Sequence, residues 1–158
     1  GALEAVGFRT ELGFDGLDVK GLLWGGNLAM LVSMLGTPHW PKIKGGVLLL
    51  EDVAEHPYRV ERMLLQLHQA GVLASQKAIV LGAFSAWKKS PLDRGYDFKT
   101  MVQYVRSVVN VPILTGFPFG HVATKVTLPL GARGHLLVEG RNVLLGWGEG
   151  HAHHGPSA

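Results

Sequence analysis

The stretch Val47-Leu48-Leu49-Leu50-Glu51-Asp52 decides the fold. Its four apolar residues show no alternation, so they read as a strand buried on both faces, the environment of parallel sheets. Glu51 and Asp52 then fall at the C-terminal end of that strand, where open α/β sheets place their chemistry. Upstream, Lys44-Gly45-Gly46 turns the chain into the strand. Downstream, Pro57 suits the first turn of a helix with apolar positions Val60, Met63, Leu64 and Leu67. Gly71 ends that helix, and Lys77 to Leu81 is a second buried strand. The three pieces make a strand–helix–strand unit, right-handed by rule.

The pattern extends in both directions. Val19 to Trp24 reads as a strand leading into Gly25-Gly26-Asn27. Asn27 suits a helix N-cap, because its side-chain oxygen can accept an orphan backbone N–H. Leu28, Leu31, Val32 and Leu35 follow at helical spacing until Gly36 and Thr37-Pro38 stop them. The paired glycines allow close backbone approach, to a neighbouring strand or to a ligand. Ser85 to Tyr96 is a polar loop, and Asp97 caps a third helix carrying Met101, Tyr104, Val105 and Val108. Val111-Pro112-Ile113-Leu114 returns as a third strand ending at Gly116. Beyond it, Lys125 to Leu130, Gly134 to Val138 and Asn142 to Trp147 are short strand-like pieces between glycine turns. They predict an antiparallel set that packs on, or extends, the parallel sheet. At the other end, Ala2 to Val6 reads as a short helix, and Phe8 to Leu17 alternates weakly around a turn at Phe14-Asp15-Gly16. The fold class is α/β, with a small parallel sheet, flanking helices and a C-terminal antiparallel strand set.

Composition excludes several function classes. A chain of 158 residues, 47% hydrophobic and 17% charged, is globular and large enough to bury a core without staples. It has no cysteine, which rules out a disulfide framework and a thiolate zinc site and is compatible with a reducing compartment. The 15 basic and 12 acidic side chains give a formal charge of only +3, and Lys88-Lys89 is the longest basic run. That is no stripe for a phosphate backbone, so no nucleic-acid partner is expected. No apolar run approaches the ~20 residues of a membrane span, and Gly1 to Thr10 lacks signal-peptide character. The opening without Met predicts a piece cut from a longer protein. The tail His151-Ala152-His153-His154-Gly155 reads as solvated or metal-affine.

The chemistry centres on two residues. Phe117-Pro118-Phe119-Gly120-His121 sets a histidine just past a strand end. Glu51 stands at the corresponding end of another strand. If the two strands neighbour each other, a carboxylate meets an imidazole at one rim. The carboxylate then fixes the ring tautomer and stabilises the imidazolium that forms on taking a proton. That is two-thirds of an acyl-transfer triad, and the missing part is a nucleophile. Ser33, Ser85, Ser90 and Ser107 do not lie in a Gly-x-Ser-x-Gly elbow. No His-Glu-x-x-His, dinucleotide or P-loop pattern is present, so no cofactor or metal is expected.

Several motifs in register resemble the LD-carboxypeptidases. They are Leu23-Trp24-Gly25-Gly26-Asn27-Leu28, Leu35-Gly36-Thr37-Pro38, Leu50-Glu51-Asp52, Pro57 to Leu64 and Phe119-Gly120-His121. The likeness runs from about Gly21 to about Leu130, and it covers the muramoyl-tetrapeptide carboxypeptidases and the related microcin C immunity peptidases. It implies removal of the terminal D-alanine from murein tetrapeptides by a Ser–His–Glu triad without metal. It also implies peptidoglycan recycling, a cytoplasmic location and a homodimer. The family glutamate falls on Glu51, with Glu55 a turn away as the other candidate, and the family histidine falls on His121. The serine belongs to an N-terminal nucleophile domain outside this sequence, so the isolated chain is expected to be inactive.

The resemblance divides the chain into a lead-in or linker remnant, 1–20, a C-terminal LD-carboxypeptidase domain, 21–150, and a His-rich tail, 151–158. It implies a layered, swivelling β/β/α fold. It further predicts an apolar surface, including Trp24 and Phe117, where the nucleophile domain docks. The rival expectation is a non-catalytic module that binds a muropeptide or a partner, in which Glu51 and His121 have structural roles only.

Overall fold

The computed structural model describes residues 3–51, 56–82, 97–118 and 130–148. In chain order these form β1 (Leu3–Arg9), β2 (Asp18–Asn27), α1 (Leu28–Ser33), β3 (Val47–Glu51), α2 (Pro57–Gln69) and β4 (Ala78–Gly82). There follow α3 (Phe98–Val108), β5 (Ile113–Phe117), β6 (Arg133–Glu139) and β7 (Asn142–Gly148). The strands join in the order β1-β7-β6-β2-β3-β4-β5.

One strand links two kinds of sheet. The first half of β2, Asp18 to Leu22, pairs antiparallel with β6. Its second half, Leu23 to Asn27, pairs parallel with β3. From there β3, β4 and β5 add in sequence order, each parallel to the last. Three consecutive crossovers of one hand, all advancing the same way, put α1, α2 and α3 on one face of the parallel half. The other face is left for the antiparallel half.

The cores record this layering residue by residue. Trp24, Leu48, Leu50, Ile79, Leu81 and Ile113 point into the helices, against Leu31, Val60, Leu64, Leu67, Met101 and Val105. Their strand neighbours Leu23, Val47, Leu49, Ala78, Val80 and Leu114 point the opposite way, against Val6, Leu136, Val138, Val143, Leu145 and Trp147. A strand with helices on one side and a second sheet on the other must be apolar at every position, which is why Val47 to Leu50 shows no alternation. β6 and β7, with one face covered, alternate buried and exposed. The three layers are antiparallel sheet, parallel sheet and helices, the β/β/α arrangement that the family resemblance implied.

The caps follow the sequence. Asn27 Oδ1 accepts from Met30 N at 2.9 Å, and Asp97 Oδ1 accepts from Thr100 N at 2.8 Å. Pro57 occupies the first turn of α2. α1 is shorter than its spacing predicts: it ends at Ser33, and Gly36 follows in a separate turn with φ 77°.

Two expectations need correction, and one condition is not met. Ala2 to Val6 does not begin a helix, because Leu3–Arg9 is a strand paired along its whole length with β7. Trp24 and Phe117 do not lie on an open apolar surface: they are 4% and 0% exposed. Trp24 packs edge-to-face on Trp40 at 6.0 Å, and Phe117 packs edge-to-face on Phe8 at 5.3 Å. The condition that the strands leading to Glu51 and His121 neighbour each other is not met, since β4 lies between β3 and β5. The strand expected over Lys125 to Leu130 and the loop from Ser85 to Tyr96 fall almost wholly outside the described residues.

Gln76 shows how the helix layer is tied to the sheet. It is buried, and its Oε1 accepts from Trp24 Nε1 at 2.9 Å and Gly46 N at 3.1 Å. Its Nε2 donates to the carbonyls of Ile43 and Val72 at 2.9 and 3.0 Å. Gln76→Leu leaves Trp24 Nε1 and Gly46 N buried without that acceptor, at about 1–3 kcal/mol each where nothing replaces the bond. It also removes a donor from the Ile43 carbonyl, while the Val72 carbonyl keeps its bond from Ser75 Oγ. The expected loss of stability is about 3 kcal/mol after relaxation, read as a lower urea midpoint at unchanged slope.

Glu11 ties the two sheets together. Arg106 Nη2 donates to its Oε1 at 2.8 Å, and Thr115 Oγ1 donates to the same carboxylate at 2.7 Å. Partial burial alone raises the Glu11 pKa, but the bonds from Arg106 and Thr115 and the guanidinium charge outweigh it and hold the carboxyl below its ordinary value. A carboxyl with a depressed folded pKa stabilises the fold above its unfolded pKa. That stabilisation is lost as pH falls through the folded value. Acid titration of the unfolding free energy is therefore expected to show a decline in the low-pH limb that Glu11→Gln removes. An identical limb in the variant would contradict the assignment.

Candidate functional site

Parallel strands all deliver their C-terminal ends to one edge of the sheet. Here that edge is built by Asn27 of β2, Glu51 of β3, Gly82 of β4 and Phe117 of β5. Crevices outside such edges are where open α/β sheets hold ligands.

Glu51 is the last residue of β3 and is half-buried, after four strand residues that are fully buried. The strand is held from both sides, by β2 and β4, and has helices and a second sheet on its faces. Its carboxylate thus sits on one of the most constrained backbones in the molecule, at the step from core to rim. Asp52 and Glu55, the other acidic candidates, lie outside the described residues.

Across the β2–β3 ladder the register partner of Glu51 is Asn27. Sequence reasoning assigned Asn27 only the cap of α1, and it does serve there through Oδ1. The cap uses the oxygen and leaves the amide NH₂ as a donor group. Nothing in the sequence pairs residue 27 with residue 51; that follows from the strand register. His56, also missed, caps α2: its Nδ1 accepts from Tyr58 N at 3.0 Å and its ring stacks on Tyr58 at 4.9 Å. Neutral His56 therefore carries its proton on Nε2.

His121 lies outside the described residues, three positions beyond Pro118, which follows β5. The strand that leads to it is well defined. Gly116 has φ 93°, and a Cβ there would collide with the carbonyl oxygen of Arg9. Phe117 is anchored in the core between the sheets and is in register with Gly82. The structure thus sets Glu51 and the exit of β5 on one edge, two strand positions apart.

Among the described residues, no group of three or more histidine, aspartate or glutamate side chains is arranged to hold a metal ion. No described helix is long and apolar enough to cross a membrane. A carboxylate at a rim, with an amide beside it, can orient an imidazole or bind a cationic group. It cannot by itself attack a carbonyl.

Residues 20–136 match the LD-carboxypeptidase C-terminal domain. Among solved structures, muramoyltetrapeptide carboxypeptidase from Oxalobacter formigenes superposes with a TM-score of 0.86 at 50% identity, covering 93% of this chain and 50% of that one. Murein tetrapeptide carboxypeptidase of Pseudomonas aeruginosa is 34% identical over 124 residues, 77% of this chain and 39% of the relative. The Escherichia coli microcin C7 self-immunity protein MccF is 29% identical over 139 residues, 86% of this chain and 40% of the relative. The chain thus spans about two-fifths of the length of these two relatives.

Proposed function

The chain belongs to the LD-carboxypeptidase family, as a C-terminal domain, and from that premise we propose that it supplies the acid and the base of a serine-type peptidase. The nucleophile is carried by an N-terminal half. The substrate in this reading is a murein tetrapeptide, and the bond cut is the one to its terminal D-alanine. The setting is peptidoglycan recycling in the cytoplasm, by a homodimer.

His121 takes the serine proton as the serine oxygen bonds to the carbonyl carbon. The same proton passes to the D-alanine nitrogen as the C–N bond breaks. Water then attacks the acyl-enzyme with His121 again as base, and that proton returns to the serine oxygen as the ester bond breaks. Glu51 accepts the other ring N–H, fixing the tautomer and stabilising the imidazolium.

The observation that carries this reading is the position of Glu51, on a rigid central strand at the edge where β5 also ends. Two strand spacings come to about 10 Å, and three residues beyond Pro118 reach up to about 10 Å. Chain length therefore admits a contact between Glu51 and His121 even though β4 intervenes.

D-alanine release from a murein tetrapeptide tests it. The 158-residue chain alone is expected to release none, because in this reading the attacking oxygen and the oxyanion donors belong to the N-terminal half. Addition of the N-terminal half, in trans or by fusion, is expected to restore turnover. Efficient cleavage by the chain alone would overturn the proposal. Cleavage only of aminoacyl sulfamoyl nucleosides, the ligand type of MccF, would move the substrate to that branch of the family.

A further inference from the structure

Among the described residues β5 is the last strand of the parallel half, and one of its edges has no strand partner there. Unpaired edges are a liability unless something covers them. Here the cover is a polar cluster drawn from the segment after β1, from α3 and from β5 itself. Arg106 of α3 donates from Nε and Nη2 to the carbonyl of Ile113, at 3.0 and 2.6 Å. Thr10 Oγ1 accepts from the backbone N–H of Thr115 at 3.0 Å. Glu11 then joins Arg106 to the hydroxyl of Thr115. Thr10 and Thr115 are buried, at 2% and 7% exposure. The guanidinium also sits over the ring of Phe14, 5.2 Å from its centroid. At the next residue, Gly116, the backbone of β5 approaches the carbonyl of Arg9 so closely that a side chain has no room.

The cluster is more than an edge cover. It fixes β5 along its axis and against the antiparallel sheet, within six residues of His121 in sequence. We propose that Thr10, Glu11, Thr115 and Arg106 form a latch that positions the exit of β5, and that Thr115 and Glu11 are positioning residues for the base that follows it. The inference rests on the assignment of His121 above. Loss of the latch leaves the fold intact but lets the exit of β5 shift, and small displacements of a catalytic group are costly because proton transfer needs hydrogen-bond reach.

The test compares Thr115→Val, Thr115→Ser, Glu11→Gln and His121→Ala in the full-length protein, with D-alanine release from a murein tetrapeptide as the assay. Thr115→Val keeps the shape and the backbone N–H but removes the hydroxyl. Its kcat is expected to fall roughly tenfold or more, with KM within about twofold. Thr115→Ser, which keeps the hydroxyl, is expected to restore kcat. Glu11→Gln, which keeps an acceptor oxygen but no charge, is expected to give an intermediate kcat, and it serves in place of Thr115→Val should that variant not fold. Wild-type kcat in both Thr115→Val and Glu11→Gln, with His121→Ala inactive, would overturn the latch and leave the acid–base assignment standing. Equal losses in Thr115→Val and Thr115→Ser would also overturn it. An active His121→Ala would overturn both.

Discussion

D-alanine release by the full-length protein is expected to fall by about 10⁴-fold when Glu51 is replaced by glutamine. The exchange keeps the size of the side chain and the possibility of a hydrogen bond. What it removes is the negative charge that stabilises the imidazolium, and it adds an NH₂ donor that can face the ring and select the wrong tautomer. His121→Ala removes the base itself and is expected to cost as much or more. Both losses should appear in kcat, with KM changed little, because neither group holds the ground-state peptide. The kinetics to measure are therefore kcat and KM separately, on protein whose urea midpoint matches the parent. Unchanged turnover in Glu51→Gln would favour a binding module, in which the glutamate only ends a strand.

The second large effect is on stability. Gly25→Ala is expected to cost about 4 kcal/mol, a substantial part of the 5–15 kcal/mol that holds a domain together. Gly25 has φ 122°, a conformation that L side chains rarely adopt, and a Cβ there would collide with the carbonyl oxygen of Leu49 in the neighbouring strand. The contact is backbone against backbone inside a paired ladder, so neither partner can move aside without breaking the β2–β3 register. Gly26 supplies the control. It has the same φ of 122°, but among the described residues no atom beyond its chain neighbours lies within 4 Å of where its Cβ would be. Gly26→Ala is thus expected to cost only the backbone strain, about 1–2 kcal/mol. Chemical unfolding of the two variants reads the difference. Equal midpoints would mean that the close approach at Gly25 carries no weight.

The pair also explains why two adjacent glycines precede Asn27. The first has no space for a side chain, and both have a backbone that disfavours one. Of the two readings open in the sequence, close approach to a strand accounts for Gly25. Nothing in the described structure occupies the space beside Gly26.

Much of the fold was legible because its signals are local. The uninterrupted Val47 to Leu50, the caps at Asn27 and Asp97, and Pro57 at a helix start each depend on a few neighbouring residues, and each is found. β1 was not legible. Leu3–Arg9 has no clean alternation, and it is a strand only because β7, some 140 residues later, offers it a ladder. The burial of Trp24 and Phe117 was missed for a related reason. An aromatic at a strand end reads as an open rim until the second layer is known, and Trp24 is sealed by Gln76 and Trp40, both distant in sequence.

The same limit applies to the site. The strand end at Glu51 is legible from the apolar run before it, a local cue. Asn27 beside it depends on strand register, and the link from Glu11 to Thr115 spans 104 residues. Residues that act by holding another element in place leave no pattern around themselves. Their partners are chosen by topology, and topology enters only when the strands are ordered.

The account's central claim is that Glu51 and His121 act as one unit on one proton. A double-mutant cycle on D-alanine release, with Glu51→Gln, His121→Ala and the double variant in the full-length protein, tests it most directly. The account predicts that the double variant is no slower than His121→Ala alone, because the carboxylate has no task once the imidazole is gone. Losses that multiply would show two groups working independently, and would contradict the claim.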